Sequence, residues 1–295
     1  MLIASEPPTG NIVGQRPYRT RLALKDEANL VATGNGSDIR FHLKTLQYYP
    51  RKVSDTELSN FSTQVGQEGL VLNLDAGISP SYSGSGSTWY DLTGNGYNAT
   101  LVNSPTHNSS TGYISFNGTT QYANQTVPLL KTAQDDFTFE VLFRMVTLPT
   151  AQYDTNGHIW GGEIGDDVVL YVNPASSSLS KLNLNYDDSR YPAESTGHIT
   201  NSSISANSWV HWVCQGRSSD NTIAHYINGQ LDKTFTSVVS GQENKNRNPD
   251  AQIAYDSRYS KYSQLDMGII REYHRILSAQ EILQNFNSVK DRYGL

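Results

Sequence analysis

Short apolar runs spaced for strands, separated by tight-turn residues, dominate this chain. Leu70, Leu72 and Leu74 fall at period two in Leu70–Asp75, so they line one face of a half-buried strand. A Ser/Gly loop follows, then a second short run at 88–93 and the turn Gly94-Asn95-Gly96, whose residues accept positive φ cheaply. Phe137-Thr-Phe139-Glu-Val141-Leu-Phe143 alternates and predicts a central strand. Further strands are expected at 112–117, 120–126, 158–162, 167–173, 180–186, 197–204, 208–217, 222–228, 231–239, 251–256 and 265–275. Asn117-Gly118, Asn156-Gly157 and Asn228-Gly229 punctuate them, which is the spacing of a sandwich or barrel. One helix is expected, Ser278–Val289, with the basic residues Lys290 and Arg292 near its end.

The start of the chain reads differently. Residues 1–20 carry three prolines and predict an extended arm. In residues 21–65, Leu22–Lys25 and Leu30–Ala32 have strand character, and Ile39 to Leu46 alternates. Tyr49-Pro-Arg51-Lys-Val53-Ser54-Asp-Thr-Glu57-Leu58 then matches Tyr273-His-Arg275-Ile-Leu277-Ser278-Ala-Gln-Glu281-Ile282. In both copies the serine and glutamate have capping-box spacing, so each predicts a strand running into a capped helix. The first copy has too few residues before it to close a sandwich. It therefore predicts a partial repeat whose apolar positions, Leu43, Leu46, Tyr49, Val53 and Leu58, need a partner surface.

Three segments, LVLNLDAG from Leu70, WYDLTGNG from Trp89 and ISFNGTTQY at 114–122, resemble the opening of a laminin-G-like (concanavalin A-like) jelly-roll domain. MGIIREYHRILSAQEILQNF at 267–286 resembles that domain's last strand and final helix. The resemblance runs from Gly66 onward. It implies an all-β fold, an antiparallel jelly-roll sandwich with a short C-terminal helix, preceded by an N-terminal extension. The expected organisation is an arm at 1–20, a partial repeat or anchoring segment at 21–65, and a jelly roll at 66–295. Such domains are frequent in structural proteins of tailed bacteriophages, but one fold hosts many functions.

Composition narrows the classes. A net charge of −6 lacks the basic footprint of a nucleic-acid binder. No apolar run is long enough to span a bilayer, and the N-terminus has no charged n-region, so neither a membrane partner nor a signal peptide is expected. The single cysteine, Cys214, lies in an apolar run and predicts a buried core thiol.

Candidate chemistry is sparse. Asp91, Thr93 and Asn95 place oxygens at alternate positions of a glycine-rich turn. They could form a weak calcium site, which related domains often hold near a sheet rim, but better suit a turn in which side chains bond local backbone. Glu163, Asp166-Asp167 and Asp187-Asp188 are other acidic candidates, and nothing in the sequence brings them together. Glu140 has no second acid two residues on, so the paired carboxylates of a glycan hydrolase are not evident and no catalytic residue is assigned. Among 18 tyrosines, Tyr255, Tyr259 and Tyr262 occupy one loop and suit glycan stacking or a protein interface.

These features lead to an expectation: a non-enzymatic structural protein of a phage virion, on the capsid or tail surface. Its N-terminal part attaches to other virion proteins and its jelly roll projects, as a homo-oligomer. The alternative is a carbohydrate-binding module for host or environmental glycans.

Overall fold

The computed structural model describes residues 2–4, 22–24, 68–126, 136–150, 157–162, 168–174, 179–186, 198–220, 222–236 and 250–295. The chain divides into two units, Met1–Ser62 and Thr63–Leu295. In the first, β1 (Leu2–Ala4) pairs antiparallel with β2 (Leu22–Leu24). The attachment positions Leu43, Leu46, Tyr49, Val53 and Leu58 lie outside the described residues.

The second unit is a sandwich of two antiparallel sheets. In chain order its strands are β3 (Leu70–Asp75), β4 (Thr88–Trp89), β5 (Ala99–Val102), β6 (Thr106–Asn108), β7 (Tyr113–Asn117), β8 (Tyr122–Thr126) and β9 (Phe137–Met145). They continue with β10 (His158–Gly161), β11 (Val168–Pro174), β12 (Ser180–Tyr186), β13 (His198–Ile204), β14 (Val210–Arg217), β15 (Thr222–Ile227) and β16 (Gln230–Phe235). The last are β17 (Asp250–Ile253), β18 (Tyr255–Asp256), β19 (Lys261–Tyr262) and β20 (Gln264–Tyr273), before helix α1 (Ala279–Tyr293). The front sheet has the order β13-β12-β11-β10-β17-β8-β5-β4. The back sheet has the order β16-β15-β14-β9-β20-β7-β6, with β3 also paired to β20. The run expected at 88–93 keeps only Thr88–Trp89 as strand, because Asp91 turns the chain, as described below.

Alternation explains the core. Phe139, Val141 and Phe143 of β9 face inward with Trp212 of β14 and Ile270 of β20, against Trp89, Trp160, Leu182 and Leu184 of the front sheet. The other face of the back sheet is also buried, because α1 lies on it. Leu142 and Ile269 pack on Val289 and Tyr293, and Val213 and Tyr273 pack on Leu277 and Ile282. Gly268 makes this close approach possible, since a Cβ there would lie 2.3 Å from the Tyr293 hydroxyl. That hydroxyl donates to Gly112 O at 2.6 Å.

The strand-to-helix corner is built as its motif requires. Ser278 Oγ accepts from Glu281 N, and Glu281 Oε2 accepts from Ser278 N, the reciprocal capping box. Arg275 donates to both Glu281 oxygens, and through Nε to Glu68 O, tying the corner to the start of the domain. The helix runs four residues past the expected Val289, because Val289 and Tyr293 extend its apolar stripe and Gly294 at φ 71° supplies the left-handed cap.

Candidate functional site

Residues 255–262 form a hairpin instead of a plain loop, with Tyr255 opposite Tyr262 and Asp256 opposite Lys261. The Tyr255 and Tyr262 rings stack at 4.5 Å between centroids and 28° between planes. Tyr122, at the start of β8, packs on Tyr255 at 4.7 Å and meets Tyr262 at 6.0 Å. All three rings are half-buried, so they make an ordered platform with aromatic surface left to solvent. Lost hydration, then the neighbouring Tyr255, hold the Tyr262 hydroxyl above its ordinary range. Tyr259 stands apart at 51% exposure, with the Arg258 guanidinium 5.8 Å from its ring centre.

The platform sits beside the outer face of the front sheet. Ala123 and Ile253 point into the core, so Tyr122, Asn124 and Gln252 point out. One row of outward residues runs across the strands as Thr88, Thr100, Asn124, Gln252 and Gly161. Gly161, at φ 131°, lies between Gln252 and Val169 in this row, and both Gly161 and Val169 are buried. The adjacent row carries Tyr122 at one end and His158, Tyr171 and Asn183 on the far side. Ala254, whose N–H donates to Ile159 O, lies between them.

Two features make the open part of this face suited to a polyhydroxylated ligand. Its side chains are mostly amides, hydroxyls and phenols. Burial lowers the pKa of His158 to about 4, against the pull of the Gln252 and Gly161 carbonyls, so the ring is neutral at pH 7. Towards β12 the face is closed, because His158, Val169 and Asn183 are fully buried. Asn183 Nδ2 donates to the Tyr171 hydroxyl at 2.5 Å, and its Oδ1 has no hydrogen-bond partner.

The Asp91 turn uses its oxygens internally. Asp91 Oδ1 accepts from Asn73 N and Thr93 N, both at 3.0 Å, and Oδ2 accepts from the Thr93 hydroxyl at 2.6 Å and Tyr97 N at 3.3 Å. Asn95 Nδ2 donates to Val71 O at 2.9 Å. Four donors occupy the roughly four lone-pair positions of the carboxylate, so a cation there competes with the turn itself. Among the described residues, no three His, Cys, Asp or Glu side chains group as a metal site.

Glu140 lies away from this face, beneath α1, fully buried. Oε1 accepts from Arg271 at 2.6 Å and lies 3.0 Å from His211 Nε2, and Oε2 accepts from Asn285 at 2.7 Å. Burial favours its neutral form, but Arg271 and His211 outweigh that and lower its pKa to about 2. Glu163, Asp166, Asp167, Asp187 and Asp188 lie outside the described residues.

Tyr122, Tyr171, Asn183 and Gln252 were not singled out from the sequence. Each sits on an outward position of a strand that was expected, so alternation alone carried their signal. Only the order of the strands in the sheet shows that they share a face.

The fold has parallels among solved structures, all at sequence identities that speak to fold alone. The binding domain of botulinum neurotoxin DC in complex with rat synaptotagmin II matches at TM-score 0.54 and 12% identity, over 75% of this chain and 52% of that one. A botulinum neurotoxin type C structure, titled for cell entry dependent on two ganglioside molecules, matches at 0.53 and 12%, over 79% and 53%. A Trypanosoma rangeli sialidase in complex with the inhibitor DANA matches at 0.52 and 18%, over 75% and 33%. This chain thus spans about a third to a half of those proteins. No curated protein matches it in sequence. A family model does, over residues 108–283, from β6 to the first turn of α1. With both sheets and the closing helix in place, the chain belongs to the concanavalin A-like lectin/glucanase superfamily.

Proposed function

We propose that this is a non-enzymatic structural protein of the virion surface of a tailed phage, whose jelly roll binds glycans through the outer face of its front sheet. The observation that carries the glycan reading is the Tyr122, Tyr255 and Tyr262 platform, placed where a row of neutral amides and hydroxyls begins. Stacking of sugar rings on tyrosine, with hydrogen bonds from fixed amides, is the chemistry this surface offers. The solved neighbours include a structure titled for ganglioside interaction, which fits the reading. The virion setting is supported by the resemblance of the end motifs, and by the copy of the strand-to-helix motif at 49–58, which supplies an attaching part. Calcium is kept as a candidate ligand of the Asp91 turn only.

A glycan array probed with the purified chain tests this. Binding to a defined subset of glycans is expected, and Tyr122→Ala should weaken it about tenfold, in line with a lost ring contact plus the packing it gives Tyr255. No reducing sugar should be released from the bound glycans. A chain that binds none of the array, or a Tyr122→Ala variant that binds equally well, refutes the assignment of this face. Turnover lost in Glu163→Gln would make the protein an enzyme.

A further inference from the structure

We infer that a clasp between β13 and β16, held by Asp232, keeps the edges of these two strands from pairing with a second copy of this chain.

Among the described residues, β13 ends the front sheet and β16 ends the back sheet. A free edge carries backbone N–H and C=O groups that recruit another strand, most strongly where apolar side chains are exposed. Leu231 of β16 is 59% exposed, and Asn201, Ser202 and Ser203 of β13 are exposed as well. This side of the sandwich therefore needs a device that occupies its edge groups.

Two bulges supply it. β16 pairs Leu231 with Tyr226 and Lys233 with His225, so Asp232 is an extra residue with none opposite it on β15. β13 pairs Ile199 with Asn183 and Ser203 with Lys181, so Thr200, Asn201 and Ser202 stand against Leu182 alone. The buried Thr200 holds that bulge. Its hydroxyl accepts from Leu182 N at 3.1 Å and donates to Ser202 O at 2.9 Å. In a regular strand, consecutive N–H groups point to opposite sides. In this bulge the N–H groups of Asn201 and Ser202 converge on one carboxylate.

The two edges then satisfy each other. Asp232 Oδ2 accepts from Asn201 N at 2.6 Å, and Oδ1 accepts from Ser202 N at 2.9 Å. Both bonds are charge-assisted, the stronger class. In return, Asn201 Nδ2 donates to Asp232 O at 3.0 Å, and Lys233 Nζ donates to Ile199 O at 3.1 Å. Beneath this polar layer the His198 and Phe235 rings meet edge to face at 5.0 Å. Two amides and a carbonyl of β13, with a carbonyl of β16, are thus engaged by side chains where an incoming strand would bond them.

Sedimentation velocity over a range of concentrations tests this. It compares the full chain with Asp232→Ala and with Asp291→Ala, which removes the same charge from an exposed position of α1. Hydrogen exchange at low and high protein concentration locates the contact. Asp232→Ala should still melt cooperatively, and should self-associate at concentrations about tenfold lower than the unaltered chain. Its amides at Asn201 and Ser202 should exchange faster when dilute, and exchange should slow along β13 and β16 when concentrated. Asp291→Ala should match the unaltered chain. Should Asp232→Ala fail to fold, Asp232→Asn keeps an acceptor for one of the two amides and should also associate more readily than the unaltered chain. A folded Asp232 variant that associates no more than the unaltered chain overturns the clasp. Equal association in Asp291→Ala assigns the effect to net charge and overturns it too. Protection that appears only outside β13 and β16 does the same, by placing the contact elsewhere.

Discussion

Replacing Glu140 with alanine lowers the melting temperature by roughly 10 °C, the consequence of about 3–5 kcal/mol lost from a domain of this size. Glu140 is fully buried and Arg271 is 3% exposed, so truncating the acid strands a guanidinium beneath α1. Arg271 then keeps only Asn73 Oδ1 at 3.2 Å and Asp75 at 3.9 Å, a carboxylate already bonded to Arg292 at 2.9 Å. His211 Nε2 and Asn285 Nδ2 lose the same acceptor. The double replacement Glu140→Leu with Arg271→Met should recover most of the loss, since a well-packed apolar pair avoids desolvating two charges. Scanning calorimetry checks both. A shift below about 2 °C for Glu140→Ala would show that the network is not what fixes the helix to the sheet.

Acid should unfold the protein cooperatively between about pH 5 and pH 4, as three buried histidines take up protons only in the unfolded chain. Burial lowers the pKa of His158 to about 4, His198 to about 4 and His225 to about 3. His225 also stands against the charge of protonated His198, and its Nδ1 accepts the Trp212 indole N–H at 3.0 Å, a bond that protonation destroys. Each group binds fewer protons when folded. The stability it contributes is complete above the unfolded value near 6.5, and is lost as pH falls toward the folded value. By pH 4 each accounts for about 3 kcal/mol, so together they rival the whole stability of a typical domain. Glu140 adds to the loss in a lower window, from its unfolded value of 4.5 toward about 2. Circular dichroism against pH reads this directly. A melting temperature that stays level from about pH 7 to about pH 4 would contradict it.

How far the sequence carried the fold follows from what each signal encodes. Period-two alternation placed β3, β9, β14 and β20 well, because each has an inward face that must be apolar. β5 and β6 escaped, since Ala99–Val102 is only four residues long and Thr106–Asn108 is short and polar, and their strand state comes from pairing with β8 and β7. The capping box at Ser278 and Glu281 was legible because both partners lie within four residues. The role of Glu140 was not, because Arg271, His211 and Asn285 reach it from 131, 71 and 145 residues away. The binding face fared likewise. Tyr255 and Tyr262 were visible as a local cluster, while Tyr122 joins them only through the adjacency of β8 and β17. Tyr259, their neighbour in sequence, does not join them, because the hairpin turns it away.

The central claim is that the outer face of the front sheet is the binding surface, and hydrogen exchange of the full chain with and without a saturating oligosaccharide tests it most directly. The account predicts slowed exchange in β8, in β17 and in the 255–262 hairpin, with β9, β14 and α1 unchanged. Slowing confined to α1 or to the Asp91 turn, with the front sheet unaffected, would contradict it.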